Sequence, residues 1–378
     1  MKQILSRPNS DLQSQKQKLE ASLNKNKVGL GWLRFTSSIA YLDYVRQRLK
    51  QYFKVELLPT GKGWNGYSES LQGSFSIIIG YTPKLTEQER LLMGIKPSPN
   101  EGLMTTDIPQ SALDSLSSEN LYRFWIDVYG IEGVRFTRVD VYYDDYNKLI
   151  EPRQVVVEVL EGRVAVPRIN LMKPFSKYSM NRRRWEGYTV YFGSERSEKQ
   201  IRYYDKFAES GGRLNCYRWE VELKGAKAEA FQEWFSEQLS EAAGQPTPEA
   251  TTEVIANAYK STIKASLAFL DISHFDPDHP LPRNWAARSP FTWWWSELVA
   301  GLEPANLTVS RVEPTLASTK NWFTRQVAPA LAILKTVYGN WGIIFGSWLD
   351  RELEKGEERW NERHWKLLQE ALLTSPAT

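Results

Sequence analysis

One cysteine, Cys216, in 378 residues leaves no partner for an intrachain disulfide and excludes a cysteine-built zinc site. Histidine is almost as scarce, with only His274, His279 and His364. No stretch approaches the roughly 18 to 20 consecutive apolar residues that cross a bilayer. Met1-Lys2-Gln3 runs into Ser, Asn, Gln and Lys rather than the hydrophobic core of a signal peptide. A strong charge of one sign is also missing: 48 Lys and Arg against 45 Asp and Glu give a net +3, far from the excess of a histone-like binder. Together these absences exclude a disulfide-stapled secreted scaffold and imply a cytoplasmic protein with no membrane partner. The length accommodates two or more domains and a sizeable core.

Charged strands are what the chain has instead. Arg138-Val139-Asp140-Val141-Tyr142-Tyr143-Asp144-Asp145, Gln200-Ile201-Arg202-Tyr203-Tyr204-Asp205-Lys206 and Tyr217-Arg218-Trp219-Glu220-Val221-Glu222-Leu223-Lys224 each carry charges two residues apart. Strand side chains alternate between faces, so such charges share one face while the residues between them enter a core. Arg138, Asp140, Tyr142 and Asp144 share a face in the first run; Arg202, Tyr204 and Lys206 in the second; Arg218, Glu220, Glu222 and Lys224 in the third. Taken alone, acid–base alternation is more often a solvated sheet face with cross-strand ion pairs. Three strands spending one face on carboxylates, cations and a tyrosine predict a working surface that binds a divalent metal and cuts DNA. Lys177 and Arg182-Arg183-Arg184 just ahead of the second run, in a chain with 15 tryptophans, add phosphate-binding groups to a supply of aromatic rings that is mostly core.

In chain order, residues 1–27 read as a polar, frayed arm, and Gly29 to Thr36 as a first strand followed by an amphipathic helix from Ser38 to Phe53. A glycine-rich turn at 62–67 precedes a strand from Ser74 to Gly80; it lacks the Gly-Lys-Ser/Thr ending of a phosphate loop. Thr82 to Leu103 is loop-like, and Pro109 to Tyr129 has helical spacing. Val155 to Val159 fits either strand or helix, and Tyr188–Ser194 with Gln200–Lys206 forms a hairpin. The fold class predicted for residues 28–240 is α+β, a largely antiparallel sheet flanked by helices. From Ala226 strand-like alternation ends. A boundary near 240–252, at Gly244-Gln245-Pro246, then separates an α-helical domain over 250–378.

The order of these motifs resembles the replication initiation factor family of rolling-circle plasmids and integrative elements. The resemblance rests on Gly66-Tyr67 with a strand ending at Gly80, Thr137-Arg138-Val139-Asp140 with Asp144-Asp145, and Tyr191-Phe192-Gly193-Ser194 with Ser197. It continues through Ile201-Arg202-Tyr203-Tyr204-Asp205-Lys206 and Arg218 to Lys224, with Trp294-Trp295 and Trp322 to Val327 farther on. It implies nicking of one DNA strand through a tyrosine. The wider HUH endonuclease group is similar in fold, but this chain lacks that group's paired histidines, so any metal must be held by acids. Tyr204 is the expected nucleophile, matching a Tyr-acid-Lys pattern with Lys206, and Tyr203 the fallback. Asp140 and Glu220 are the expected ligands of Mg2+ or Mn2+, with Glu222 and Asp144 as third-ligand candidates. Arg138, Arg202, Arg218, Lys177, Arg182, Arg183 and Arg184 are expected DNA contacts. The implied partners are single-stranded or cruciform origin DNA, a host helicase and DNA polymerase, and a second copy of the chain as a homodimer. Two other functions share the pattern: a non-catalytic DNA-binding regulator, and a metal-dependent nuclease that activates water.

Overall fold

The computed structural model describes residues 27–165, 169–243, 248–276, 278–299, 302, 304, 305, 307, 319, 320, 323–340, 344–360, 364, 365 and 368. The expected N-terminal arm lies outside them, except for Lys27. The chain divides into two compact units, Met1–Val309 and Ser310–Thr378.

In the first unit the strands are β1 (Lys27–Ser38), β2 (Leu58–Pro59), β3 (Glu69–Gln72), β4 (Ile78–Tyr81), β5 (Leu103–Pro109), β6 (Arg135–Asp145), β7 (Val164–Ala165), β8 (Met172–Ser179), β9 (Arg184–Phe192), β10 (Lys199–Asp205), β11 (Tyr217–Lys224) and β12 (Ala268–Phe269). The helices are α1 (Leu42–Phe53), α2 (Glu87–Met93), α3 (Gln110–Leu113), α4 (Ser118–Tyr129), α5 (Pro152–Leu160), α6 (Lys206–Glu209), α7 (Ala226–Ala243), α8 (Pro248–Lys264) and, after a single turn at Trp285–Arg288, α9 (Trp293–Val299). Ten strands form one antiparallel sheet in the order β2-β3-β4-β5-β1-β6-β11-β10-β9-β8, and β7 pairs with β12 beside it. This is the α+β architecture the alternation predicts. Among the described residues no helix is long and apolar enough to cross a membrane.

The sheet has two chemically distinct faces because its strands keep period 2. Val139, Val141 and Tyr143 of β6, Ile201 and Tyr203 of β10, and Trp219, Val221 and Leu223 of β11 are buried on one face. There Tyr203 stacks on Trp219 with ring centroids 3.8 Å apart, and Trp219 meets Trp295 of α9 edge-on at 5.7 Å. Helices α7 and α8 close this face, packing on β6 and on each other. Trp125 of α4 contributes a further edge contact at 4.7 Å from Phe235 of α7. Rings of this size supply most of the burial that holds helices on a sheet.

The division at 309/310 differs from the boundary expected near 240–252. The change in composition there marks a change from strand to helix within one core: Phe235 of α7 stacks on Tyr259 of α8 at 5.2 Å, so both helices belong to the sheet unit. In the second unit the described helices are α10 (Ala328–Asn340) and α11 (Phe345–Glu357), where Tyr338 meets Trp348 edge-on at 5.0 Å.

Three local expectations are replaced. The stretch read as loop contains α2, opened by a capping box between Thr86 and Glu89, followed by β5. Ser74–Ser76 is a 3-10 turn and the strand begins only at Ile78. The single helix expected from Pro109 splits into α3 and α4, with the Ser117 side chain accepting from Asn120 N to start the second. Val155 to Val159 resolves to helix, within α5.

Candidate functional site

The face opposite α7 and α8 carries the charges, and strand register brings them together. In the β11–β6 pairing Glu222 lies opposite Asp140 and Arg218 opposite Asp144. In the β10–β11 pairing Arg202 lies opposite Glu220 and Tyr204 opposite Arg218. On the other side of β6, Asp140 lies opposite Trp32 of β1, next to a register shift at Gly31. That bulge lets Leu30 and Leu33 both enter the core while Trp32 and Arg34 face the charges. A Cβ at Gly31 would stand 3.4 Å from Glu220 Oε1 and 3.5 Å from Asp140 Cβ, ordinary van der Waals contact, so this backbone lies directly beside the acids.

Two networks result. In the first, Arg138 grips Asp140 through two hydrogen bonds of 2.8 and 2.6 Å and reaches Glu222 at 3.2 Å. Arg202 Nη2 donates to Asp140 Oδ2 at 3.1 Å and Glu220 Oε1 at 2.9 Å, and lies 3.4 Å from Glu222 Oε2. The Tyr204 hydroxyl donates to Glu220 Oε2 at 2.9 Å. Lys224 Nζ sits 2.9 Å from Glu222 Oε1. Burial raises Asp140 to about 6 against the pull of Arg138. Glu222 goes the other way: burial would raise it, but Lys224, Arg138 and Arg202 together hold it below the usual range. The second network is deeper. Arg218 donates to both Asp144 oxygens at 2.5 and 2.8 Å and to Gln110 Oε1 at 2.6 Å, with its guanidinium 3.9 Å from the Tyr142 ring centroid. Tyr142 in turn donates to Asp114 at 2.7 Å.

Tyr204 stands at the junction of two cavities. One, of about 620 Å3, opens over Asp140, Arg138 and Glu220 between the 109–114 and 206–214 segments. The other, of about 1150 Å3, extends toward β8 and β9. Arg202 and Tyr204 line both. Arg202 Nε is buried without a hydrogen-bond partner. Burial first, then the Glu220 charge, raises the Tyr204 phenol above its ordinary value. The Lys206 ammonium lies 5.6 Å from the Tyr204 ring centroid and 2.7 Å from Glu209.

The sequence-predicted residues thus separate. Asp140, Glu220, Glu222, Arg138, Arg202, Tyr204 and Lys206 assemble on one face. Tyr203 is on the opposite face, fully buried, its hydroxyl donating to the Ile150 carbonyl at 2.5 Å, so as fallback nucleophile it has no access to DNA. Arg218 is 1% exposed and committed to Asp144, which corrects its expected role as a DNA contact. The same pairing occupies both Asp144 oxygens. Lys177 and Arg182 line the larger cavity and share Glu186 at 3.3 and 3.4 Å. Arg183 is exposed in the β8–β9 turn at φ 51°; Arg184 opens β9, with its side chain outside the described residues.

The oxygen-rich donor set has the right chemistry for Mg2+ or Mn2+, but its arrangement does not fit an ion. Both oxygens of Asp140, Glu220 and Glu222 already meet a guanidinium, an ammonium or a phenol. Among the described residues no three acidic, histidine or cysteine side chains group as metal ligands. Arg202 stands between the acids where a shared cation would sit. Gln110 and Asp114, which complete the site's edge, escaped sequence reading because Pro109–Tyr129 reads as one helix; the Ser117-Ser118-Glu119-Asn120 cap signal marks the break that frees them.

Comparison with known proteins agrees with this architecture. A solved structure, that of the rolling circle replication initiator protein from Geobacillus stearothermophilus, superposes with a TM-score of 0.55 over 75% of this chain and 99% of that one, at 17% identity, a likeness of fold. No curated protein sequence matches the chain. The model of the replication initiation factor family matches residues 134–342, spanning β6, β10, β11 and the acid–arginine network between them, and the chain belongs to that family.

Proposed function

We propose that this protein starts rolling-circle replication by nicking one strand of origin DNA with Tyr204 and later rejoining it. The observation that carries the proposal is the Tyr204–Glu220 hydrogen bond of 2.9 Å, made at the junction of two cavities beside Arg202. Because burial and Glu220 raise the phenol's pKa, Tyr204 waits as a neutral hydroxyl. It needs a general base as it attacks, and Glu220 Oε2 is within transfer distance. The tyrosine oxygen bonds to phosphorus, its proton passes to Glu220, the bond to the 3′ oxygen breaks, and that oxygen leaves to be protonated as a free 3′-OH. The DNA keeps a 5′-phosphotyrosyl link, and the 3′-OH is an end a polymerase extends. Arg202, Arg138 and Lys206 line the cavity beside Tyr204 and supply the positive charge that would meet a phosphate there. A host helicase and a second copy of the chain belong to the same proposal as partners.

The test is a denaturing gel of the purified protein with labelled single-stranded origin DNA, with and without Mg2+ or Mn2+. A label that migrates with the protein and vanishes in Tyr204→Phe supports the reading. Cleavage with no adduct would make water the nucleophile, and binding without cleavage or adduct would make the protein a regulator.

A further inference from the structure

Three arginines crowd this side of the sheet, and something must hold their charges in place. Arg34 of β1 is the direct register partner of Arg138 of β6, a placement in which like charges repel. On its other side Arg138 shares Asp140 Oδ2 with Arg202, at 2.6 and 3.1 Å. Asp107 of β5, 4% exposed, answers the first of these conflicts. It lies opposite Arg34, and its Oδ1 accepts from Arg34 Nε at 2.5 Å and from Trp32 Nε1 at 2.8 Å. The Trp32 indole, tied down in this way, faces the Arg138 guanidinium, whose carbon is 4.8 Å from the ring centroid. The extra residue of the bulge at Gly31 brings Trp32 opposite Asp140. Farther out, the Arg34 guanidinium lies 5.4 Å from the Trp64 ring centroid. Ring, cation and acid therefore alternate from Trp64 to Asp140, and Trp32 and Arg138 border the cavity beside Tyr204.

Resting on the proposed nicking reading, we propose that Asp107 is a positioning residue for the Tyr204 site, acting through the Trp32 indole to hold the Arg138 guanidinium on Asp140. An arginine side chain has many rotamers, and that of Arg138 is 22% exposed, so its two hydrogen bonds to Asp140 compete with solvent. An indole face attracts the guanidinium, and a ring whose N–H is fixed to an acid presents that face in one place. The same oxygen of Asp107 neutralises Arg34, so Arg138 is not driven from its strand partner. Its place matters because Arg138 is one of the cations that would meet a phosphate beside Tyr204, and a shift of about 1 Å in such a group costs as much as roughly 10²-fold in rate. Asp107 acts from two strands away, through β1, and its effect is on geometry.

The experiment takes two readouts on the full chain, with Asp107→Ala and Trp32→Phe cutting the tether from its two ends. The first needs no DNA: solvent exchange of the Arg138 Nε proton, followed by NMR and assigned by its loss in Arg138→Lys. Both variants are expected to speed this exchange about tenfold or more, because the hydrogen bond to Asp140 opens more often. The second is single-turnover adduct formation with labelled single-stranded origin DNA. Each variant is expected to lower the maximal rate roughly 10- to 100-fold while the half-saturating DNA concentration stays within about twofold. Adding either change to Arg138→Ala should cost less than about twofold more, because the residue they act through is already gone. Unchanged proton exchange in both variants, rate losses that multiply with that of Arg138→Ala, or a loss confined to DNA affinity overturns the proposal. The nicking reading fails separately: if the wild-type protein never forms an adduct while both variants still free the Arg138 proton, the positioning of Arg138 stands and Tyr204 is removed as nucleophile.

Discussion

The Tyr204 hydroxyl reaches Glu220 diagonally across the β10–β11 pairing: Arg218 is its register partner, yet the hydrogen bond of 2.9 Å runs to the acid two residues on. Arg218 cannot compete for the phenol because Asp144 and Gln110 hold it. On the proposed nicking reading, Glu220 is therefore the acid that receives the phenol's proton.

Glu220→Gln should slow adduct formation on the order of 10²- to 10⁴-fold, the usual contribution of a positioned base. Part of the loss should return as pH rises, since hydroxide then takes the proton directly. Single-turnover adduct formation across a pH series checks this. A wild-type rate in Glu220→Gln would remove Glu220 from the chemistry and leave it a structural acid.

The Arg218–Asp144 pair makes a stability prediction instead. Both residues are 1% exposed, so removing one strands a buried charge. Asp144→Asn or Arg218→Met alone should cost about 3–5 kcal/mol, and the pair replaced together should cost clearly less than the sum, because no charge is then left behind. Urea denaturation of the two singles and the double forms the cycle. Additive losses would mean that the two residues are not coupled.

Much of this was legible in the sequence, for a physical reason. Period-2 charge alternation assigned Arg138, Asp140, Arg202, Tyr204, Glu220 and Glu222 to one face, and strand pairing could only bring such faces together. What alternation cannot give is depth. Arg202 and Arg218 look equivalent in sequence; the first borders two cavities while the second is sealed under Tyr142 and Gln110. Nor can it give the cation each acid prefers, which is why a metal cluster was expected where arginines stand. The edge strand β8 was missed because its burial pattern is almost wholly exposed and shows no apolar stripe. At the boundary expected near 240–252 the composition changes with the element, while the Phe235–Tyr259 stack runs across it.

If arginines, not an ion, hold the acids together, chelation should leave the fold untouched. The melting temperature is expected to be the same in EDTA as in Mg2+ or Mn2+. Arg202→Ala reverses this: it removes a cation shared by Asp140, Glu220 and Glu222, and a divalent ion that binds only the folded state then raises the melting temperature with its concentration. A wild-type melting temperature that drops in EDTA would show that the acids depend on a metal after all.

Asp145 offers a pH test away from the chemistry. It is 1% exposed, its Oδ2 accepts from Leu149 N at 2.7 Å, and its Oδ1 is buried without a partner. Burial raises its carboxyl from 3.8 to about 6, despite hydrogen bonds from backbone amides that pull the other way. Between those values the folded protein holds a proton that the unfolded chain has already released. Its contribution to stability is therefore fully present below about pH 4, is lost as pH rises toward 6, and is constant above that, a change on the order of 3 kcal/mol. Asp145→Asn should abolish this component, so the stability difference between variant and wild type should grow in the variant's favour from pH 4 to 6 and then level. Denaturation curves of both proteins across that range decide it: a difference that does not change with pH would mean that Asp145 is ionised throughout and that its burial is compensated by the amides alone.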